Sequence, residues 1–369
     1  MNSNRILITG ANGFIAKNLC KNKFIIENFK VLKFLRSSNL DDLENYVSES
    51  SIILHLAGEN RPLSNDEFYK NNFQLTKIIC NFLIKNKLNT PIIFSSTVHV
   101  KLNNDYGRTK KLAENELKKL SISNGNPVSI LRLPGVFGKW SKPNYNSVVS
   151  TFCHNIANDK ECIISDSNKE IDLIYIDDVI KVICGLIKKK KKSIDLVFFD
   201  KYSYKIKLNA LYDKLYQFNK SRLNCLPVNL VKGINKKLYS TFLSYLPTNK
   251  MTYSLLKNKD ERGNFFEIFK EKNGSQLSIF TANKGFTRGG HFHNTKVEKF
   301  LVVSGKAKFT FKDLNTSKKT NFILNENDYK VIESIPGYWH EVENLGVKEL
   351  KIIVWANEVY KKKNDDTYR

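Results

Sequence analysis

The sequence lacks every feature that would place the protein in a membrane or outside the cell. None of its apolar runs approaches the ~20 residues needed to cross a bilayer. Residues 1–12 contain no charged region followed by a long apolar stretch, so we expect no secretory signal. The six cysteines are scattered and form no CxxC pair, which argues against a disulfide framework or a zinc ribbon. We therefore expect a cytoplasmic protein with reduced thiols and no membrane insertion.

Acidic residues are scarce relative to basic ones. The chain of 369 residues has 60 Lys and Arg against 36 Asp and Glu, and a formal net charge of +24. Such a charge suits nucleic-acid binding, but the lysines are spread along the chain and no known nucleic-acid module is present. The lysine run 188–192 follows an apolar helical stretch, where it suits the helix dipole and a solvated surface. We therefore favour an acidic small-molecule ligand over a nucleic-acid partner.

What the first two-thirds does contain is an alternation of short β-branched runs with longer helical patterns. Apolar strands separated by helices are typical of a parallel sheet that is covered by helices on both faces. The alternation predicts an α/β, Rossmann-type, doubly wound parallel sheet. The predicted strands are residues 6–9, 25–35, 52–56, 91–95 and 128–132, and the predicted helices include residues 68–85 and 106–120.

The pattern changes after about Pro247. From there, short strand-like runs recur with turn residues between them, and no long helical pattern interrupts them, which predicts an all-β barrel or sandwich. We place the boundary near residue 246, between a first domain of residues 1–245 and a second of residues 246–369. The predicted strands of the second domain are residues 276–280, 298–304, 307–311, 329–332 and 349–355.

A glycine-rich turn, residues 9–16, directly follows the first predicted strand and opens a helix. Glycines there let the backbone approach a pyrophosphate, to which the helix N-terminus offers N–H groups. The alternative is an ordinary strand-to-helix turn. The spacing GxxGxxA resembles that of the extended short-chain dehydrogenase/reductases. The resemblance implies that the cofactor contacts Gly10, Asn12, Gly13, Phe14 and Ile15.

A second motif of the same family is Tyr106-x-x-x-Lys110. Residues four apart lie on one face of a helix, and a lysine charge beside a cationic nicotinamide ring is expected to lower the tyrosine pKa from its usual value near 10. The motif follows a strand end that carries several hydroxyl groups. In the family, a Ser or Thr there hydrogen-bonds the substrate carbonyl. We favour Thr97 for this role, with Ser96 as the alternative.

Further segments resemble the same dehydrogenases and bear on the cofactor. Residues 55–58 resemble the strand end beside the adenosine, which implies contacts with Leu56, Ala57 and Gly58. An NAD enzyme would carry an acid at the end of the second strand to bond the ribose 2′-hydroxyl. Residues 32–38 contain none, and Arg36 suits a 2′-phosphate through forked hydrogen bonds. We therefore favour NADPH, the alternative being that Arg36 is a solvated surface residue.

The second domain carries a metal-site pattern. Residues 285–305 fit the first cupin motif, G(X)5HXH(X)4E(X)6G, and residues 336–344 fit the second except that its Pro and Gly are adjacent. The HXH spacing puts both imidazoles on one face of a strand. A carboxylate and a third histidine would complete a divalent metal site, for which we favour zinc. The proposed ligands are His291, His293, Glu298 and His340.

A metal-free cupin is the alternative, because sugar-nucleotide 3,5-epimerases of this barrel use such histidines as acid/base groups. Residues 260–267 resemble the D-x-RG-x-F-x-E opening of those epimerases, which implies that Arg262 helps to hold the nucleotide diphosphate.

Over essentially its whole length, the chain resembles the bifunctional capsular-polysaccharide enzymes that make UDP-2-acetamido-2,6-dideoxy-L-talose. The resemblance includes residues 138–148, with Asn144 as a possible substrate contact, and residues 238–247 and 298–306. It implies that the cupin epimerises carbon 3 of a UDP-linked 4-keto-6-deoxy amino sugar, and that the dehydrogenase reduces the carbon 4 ketone with NADPH. The product would feed N-acetyl-L-fucosamine synthesis. We also expect a homodimer or a higher homo-oligomer.

Besides the less favoured nucleic-acid binder, two other functions stay open. One is a sugar-nucleotide epimerase or dehydratase that retains NAD and carries a non-catalytic sugar-binding cupin. The other is a cupin that acts only as a sensor.

Overall fold

The computed structural model describes residues 4–62, 64–189, 193–231, 233–271, 274–360 and 366–369. Its contacts divide the chain into two compact units. One unit comprises Met1–Tyr216 and Leu230–Pro247, and the other comprises Gln217–Asn229 and Thr248–Arg369. The segment Gln217–Asn229 thus groups with the C-terminal unit, although the sequence analysis assigned it to the first domain.

In the part of the first unit that the structure describes, nine strands alternate with helices. The strands are β1 (Arg5–Thr9), β2 (Lys30–Phe34), β3 (Ile52–His55), β4 (Ile92–Thr97), β5 (Val128–Leu133), β6 (Gly135–Phe137), β7 (Glu170–Tyr175), β8 (Asp195–Val197) and β9 (Ser203–Lys207). The α-helices of the chain are α1 (Phe14–Leu19), α2 (Lys23–Asn28), α3 (Leu40–Glu49), α4 (Asn65–Phe68), α5 (Leu75–Lys85), α6 (Asp105–Asn124), α7 (Val148–Ala157), α8 (Ile176–Lys189), α9 (Leu208–Leu223) and α10 (Asn235–Leu243). A π-helical turn (Tyr69–Gln74) joins α4 to α5, and 3-10 turns form at Val98–Lys101 and Thr248–Lys250.

The main sheet has the order β2-β1-β3-β4-β5-β8, and all its neighbouring strands are parallel. Strands β3 and β4 are buried along their whole length, as expected where helices cover both faces. The predicted Rossmann-type sheet is confirmed. From β1 the chain passes to β2 on one side of β1, and from β2 it crosses to β3 on the other side. Ligands of such sheets bind where the direction of the connections reverses, outside the carboxyl ends of the strands. A smaller sheet, β6-β7-β9, lies in the same unit.

One predicted strand, residues 25–35, is wrong in its first half. Residues Lys23–Asn28 form helix α2, and β2 begins only at Lys30. The side chain of Asn22 caps α2 by accepting a hydrogen bond from the backbone N–H of Phe24. Ile25 is fully buried in the core while Ile26 is 59% exposed, so packing of one helical face outweighs the β-propensity of the two isoleucines.

The second unit is an antiparallel, two-sheet β-structure, the jelly-roll form of the cupin barrel, which confirms the predicted fold class. Its strands are β10 (Lys257–Asp260), β11 (Gly263–Lys270), β12 (Gln276–Ala282), β13 (Thr287–His291), β14 (Glu298–Ser304), β15 (Lys306–Asp313), β16 (Lys319–Asn325), β17 (Val331–Glu333), β18 (Tyr338–Asn344) and β19 (Leu350–Ala356). The sheets have the orders β10-β11-β12-β19-β14-β17 and β13-β18-β15-β16. Phe280 and Phe300 of the first sheet share a core with Phe309 and Val342 of the second.

Within the described ranges, no helix is both long enough and apolar enough to cross a bilayer. Of the lysine run 188–192, the last three residues lie outside the described residues.

Candidate functional site

The glycine-rich turn lies at the carboxyl end of β1, where the direction of the sheet connections reverses. Gly10 has φ +64°, and a Cβ atom there would lie 2.8 Å from the Cα of Ala57, so only glycine fits. Gly13 precedes α1, and among the described residues no side chain caps this helix. The N–H of Gly13 donates to the carbonyl of Gly10 at 2.8 Å, so it is the amides of Phe14 and Ile15, at the start of the helix, that can donate to an anion. Asn12 and Phe14 lie in the same turn.

The end of β3 is held against β1 by a buried histidine. His55 bonds the hydroxyl of Thr9 through Nδ1, at 2.7 Å, and the hydroxyl of Thr76 through Nε2, at 2.9 Å. Burial, with a smaller effect of the Lys110 charge, lowers the pKa of His55 to about 3, so its ring is neutral. This histidine is a structural link that sets the path of Leu56 and Ala57.

Gly58 gives room to the lysine of the YxxxK motif. A Cβ atom at Gly58 would lie 2.7 Å from Nζ of Lys110. The buried Lys110 ammonium donates to the carbonyl of Ser95 at 3.0 Å and lies 4.8 Å from the centre of the Phe94 ring. Burial lowers the pKa of Lys110 to about 8. The motif thus brings the lysine to the carboxyl ends of β3 and β4.

Tyr106 lies in the first turn of α6, which the side chain of Asn104 caps by accepting from the N–H of Gly107 at 2.7 Å. The Thr97 side chain hydrogen-bonds the phenol. Burial outweighs that bond and raises the pKa of Tyr106 to about 12. In the protein alone, the phenol loses more hydration than it gains in stabilisation of its charge. The lower pKa expected for Tyr106 beside a cationic nicotinamide ring stays a prediction.

The two candidate hydroxyls have different partners. Ser96 Oγ donates to the buried carboxylate of Glu114 at 2.7 Å, and Arg132 binds the same carboxylate at 2.7 and 3.0 Å. The Thr97 side chain instead hydrogen-bonds Tyr106. Of the two, only Thr97 is thus joined to the motif tyrosine.

Arg36 has an acidic partner that the sequence analysis missed. Its Nη2 donates to Oε2 of Glu59 at 2.6 Å. The side chain of Glu59 is buried, while that of Arg36 is 77% exposed. The other carboxylate oxygen of Glu59 accepts from the hydroxyl of Tyr145 and from the N–H groups of Asn60 and Arg61. An acid does stand beside Arg36, but it follows β3 rather than β2, and a search of the second strand alone could not find it.

Asn144 lies next to Tyr145 in the segment before α7. It is exposed, has φ +55°, and its backbone N–H donates to the hydroxyl of Thr151 at 3.0 Å. Of these two neighbouring residues, it is Tyr145 that bonds the buried Glu59.

In the second unit, the structure brings all four proposed metal ligands together. His291 ends β13, His293 follows it, Glu298 begins β14 and His340 lies in β18. One ligand atom from each residue lies within 4.8 Å of the others. The Nε2 atoms of His293 and His340 lie 3.4 and 3.3 Å from Oε2 of Glu298. Both nitrogens are buried and face the same carboxylate oxygen, an arrangement in which a divalent ion could bind all three atoms.

The charge states of His291 and Glu298 suit a metal, whereas, against the opposing effect of burial, the hydrogen bond with Glu298 raises the pKa of His293. Burial, together with His340, lowers the pKa of His291 to about 4 and keeps that imidazole neutral. Burial opposes the charge on Glu298, but the two neighbouring histidines and Lys296 outweigh it and hold the pKa of Glu298 well below its usual range. A neutral imidazole and an ionised carboxylate are the forms that bind zinc.

Arg262 lies in the turn between β10 and β11. Its guanidinium donates to Asp260 at 2.6 and 3.1 Å, and Arg288 donates to the other oxygen of the same carboxylate at 3.0 Å. The sequence predicted Arg262 alone, whereas in the structure Asp260 also binds a second arginine, Arg288, on the strand that ends at His291.

Comparisons with known proteins cover both units. Residues 6–197 match the NAD dependent epimerase/dehydratase family, and residues 258–368 match the polysaccharide biosynthesis C-terminal domain. The UDP-2-acetamido-2,6-β-L-arabino-hexul-4-ose reductase of Pseudomonas aeruginosa is 38% identical over 364 residues, which cover 99% of this chain and 98% of that protein.

Solved structures give a similar result. The crystal structure of the capsular polysaccharide assembling protein CapF from Staphylococcus aureus is 36% identical, with a TM-score of 0.88 over 100% of this chain and 99% of that one. The UDP-glucuronic acid 4-epimerase of Bacillus cereus, in complex with NAD, is 17% identical, with a TM-score of 0.56 over 65% of this chain and 96% of its own. This last likeness concerns the fold alone.

Proposed function

Because the chain belongs to the NAD dependent epimerase/dehydratase family, with a polysaccharide biosynthesis C-terminal domain behind it, we propose that it is a bifunctional sugar-nucleotide enzyme of capsule or O-antigen synthesis. The second unit epimerises carbon 3 of a UDP-linked 4-keto-6-deoxy-N-acetylhexosamine. The first unit then reduces the carbon 4 ketone with NADPH to UDP-2-acetamido-2,6-dideoxy-L-talose. The observation that carries this proposal is the grouping of Thr97, Tyr106 and Lys110 in a chain similar, over nearly its whole length, to a UDP-sugar ketone reductase.

The first unit offers the groups that a ketone reduction needs. NADPH, held at the turn of Gly10 and Gly13, supplies the hydride. The hydroxyl of Thr97 orients the carbonyl oxygen, and the phenol of Tyr106 donates the proton that this oxygen takes up. Because burial raises the pKa of Tyr106 to about 12, the phenol is protonated at neutral pH, which is the form that reduction requires.

The second unit offers a place for epimerisation. A 4-keto group acidifies the carbon 3 proton, so the step needs a base and stabilisation of the enolate. We propose that His291, His293, Glu298 and His340 hold a zinc ion, because one ligand atom of each lies within 4.8 Å of the others and the Nε2 atoms of two histidines face the same carboxylate oxygen. Zinc would supply positive charge next to the enolate oxygen.

The test is incubation with the UDP-linked 4-keto-6-deoxy sugar in D₂O, with and without NADPH, followed by NMR of the product. Without NADPH we expect deuterium to enter carbon 3 only. With NADPH we expect a reduced product and oxidation of one equivalent of cofactor. A changed sugar with no net NADPH oxidation would instead support an enzyme that retains its cofactor.

Tyr106→Phe separates the two steps. Loss of the proton donor should reduce NADPH oxidation by at least about 100-fold, in the range of general-acid catalysis. Deuterium exchange at carbon 3 should be unchanged, because the cupin site performs it. The matched control is Tyr46→Phe, at a partly buried tyrosine that packs on the hydrophobic core beneath α3. Retained reduction in the Tyr106 variant would contradict the assignment.

A further inference from the structure

The segment 366–369 pairs with the residue between the two histidines of the HXH motif. The N–H of Phe292 donates to the carbonyl of Tyr368 at 2.8 Å, and the N–H of Tyr368 donates back at 3.0 Å. This exchange forms an antiparallel bridge, and the two rings stack with centres 5.3 Å apart. The segment is therefore held beside the four proposed metal ligands.

Asp366 clamps the loop that links two proposed ligands. Its carboxylate accepts from the backbone N–H groups of Asn294, Thr295 and Lys296 and from the hydroxyl of Thr295. These three residues lie between His293 and Glu298. One side chain thus satisfies three successive amides and sets the path of the loop.

The backbone of Asp366 also acts on a ligand directly. Its carbonyl oxygen hydrogen-bonds Nδ1 of His293. A carbonyl can only accept, so this bond requires the proton of the neutral ring on Nδ1. Nε2 then carries the free lone pair, and it is this atom that lies 3.4 Å from Oε2 of Glu298. A partner on the second ring nitrogen of this kind is how proteins orient metal-binding histidines.

We propose that segment 366–369 is a positioning element for the metal site of the cupin unit. It holds His293 in the Nδ1–H tautomer and presets the loop to Glu298, so that the site is assembled before the ion binds. This inference rests on the metal site of the proposed function. It adds a contact between His293 and Asp366, which are 73 positions apart, and neither cupin motif includes Asp366.

Zinc affinity tests the proposal. Competition with a chromogenic chelator should give a zinc Kd that is about 10- to 100-fold weaker for a chain ended after residue 365. Asp366→Ala, which keeps the full length, should weaken binding by a smaller factor. Two controls should leave the Kd unchanged: removal of Arg369 alone, and Asp328→Ala, which removes a carboxylate that accepts from the N–H of Asn325 in the β16–β17 turn. If the shortened chain does not fold, Asp366→Ala decides.

The tautomer of the His293 ring distinguishes a positioning role from a general loss of protein stability, because a loss of stability alone would not change the tautomer in the folded protein. In zinc-free wild type, the ¹⁵N shifts of the His293 ring, assigned with His293→Gln, should show a proton on Nδ1, and the shortened chain should show a mixture of tautomers. Equal zinc affinity and an unchanged tautomer without the segment would overturn this inference alone. A wild type that binds no zinc would overturn it together with the metal site of the proposed function.

Discussion

At the scale of single residues, Arg36 and Glu59 form the ion pair that we expect to affect binding of the 2′-phosphate of NADPH. Burial opposes the charge on Glu59, but bonds from Tyr145, Arg36 and the neighbouring backbone outweigh it, and the pKa of Glu59 is lowered. The carboxylate is thus ionised. A 2′-phosphate at Arg36 would meet a cation that is already paired and an anion close by, so both residues should set the preference between NADPH and NADH.

Substitutions of Arg36 and of Glu59 should change the preference between NADPH and NADH in opposite directions. Arg36→Ala should raise the KM for NADPH about tenfold more than the KM for NADH, as expected for loss of one charge-assisted hydrogen bond. Glu59→Gln should lower the KM for NADPH and change that for NADH little. Steady-state kinetics with both cofactors measures the two KM values. The control is Glu44→Gln, which changes an acid of α3 that pairs with Lys85 of α5. Equal effects on the two cofactors would show that the pair does not recognise the 2′-phosphate.

Lys110 should cost the protein stability. Its pKa falls from 10.5 to about 8 on burial, so its charged form is disfavoured in the folded state. At ~1.4 kcal/mol per pKa unit, and with the bond to Ser95 offsetting part, Lys110→Met should raise the free energy of unfolding by about 1–3 kcal/mol at pH 7.

The sign of the pH dependence follows from the direction of that shift. Below pH 8 the lysine is charged in both folded and unfolded states, so its full cost is present. As the pH rises from 8 toward 10.5, only the unfolded state keeps the proton, so the cost and the gain from Lys110→Met both decline. Urea unfolding between pH 6 and 9.5 measures this. Lys119→Met, on the same helix at an exposed position, should change stability by no more than about 0.5 kcal/mol.

At the scale of elements, the first turn of α6 carries Tyr106, the proton donor of the proposed reduction. Gly107 follows the tyrosine, and a Cβ atom there would clash with the carbonyl oxygen of His99 and lie 2.9 Å from that of Leu102. The helix therefore packs directly on the 3-10 turn that follows β4. This contact brings Tyr106 to Thr97, which ends the strand.

Two glycine substitutions in helices should have opposite effects. Gly107→Ala should destabilise the first unit by about 1–3 kcal/mol through overpacking, and should lower the kcat of reduction by displacing Tyr106. Gly185→Ala, in α8, meets no heavy atom within 4 Å and should stabilise by about 1 kcal/mol through helix propensity. Urea unfolding and NADPH oxidation measure both. A Gly107→Ala variant with wild-type kcat would contradict the role given to this contact.

At the scale of the whole molecule, each unit has its own core, and the proposed metal site belongs to the second unit. Removing Glu298, which lies between His293 and His340, should release the ion and destabilise the barrel, because metal binding adds to folding free energy. Glu298→Ala should therefore abolish stoichiometric zinc and lower the melting temperature of the second unit by several degrees, while the first unit melts as before.

Calorimetry with elemental analysis checks this prediction. The matched control is Glu333→Ala, a carboxylate of the same unit that pairs with Lys299 at the surface and should retain zinc. Wild type without stoichiometric metal, after growth with zinc supplied, would mean that the histidines act as a metal-free acid/base set.

What the sequence alone determined is local. Alternating strand and helix patterns predicted the parallel sheet of the first unit, because burial on both faces of a sheet leaves continuous apolar runs. Strand patterns without helices between them predicted the β-structure of the second unit. The spacing of Tyr106 to Lys110 predicted that both lie on one face of a helix, and α6 carries both. The HXH spacing predicted that His291 and His293 lie together, and their ring centres are 4.8 Å apart, although β13 ends at His291. The exception was α2, where burial of Ile25 outweighed β-propensity.

What only the tertiary structure decided is which distant groups meet, and with what charge. Glu59 meets Arg36 because β3 and β2 flank β1 in the same sheet, although the two residues are 23 positions apart. Asp366 meets His293 across 73 positions through a backbone carbonyl, which carries no side-chain signal at all. The raised pKa of Tyr106 likewise depends on burial. Desolvation and long-range hydrogen bonds depend on packing in three dimensions, so no spacing along the chain could predict them.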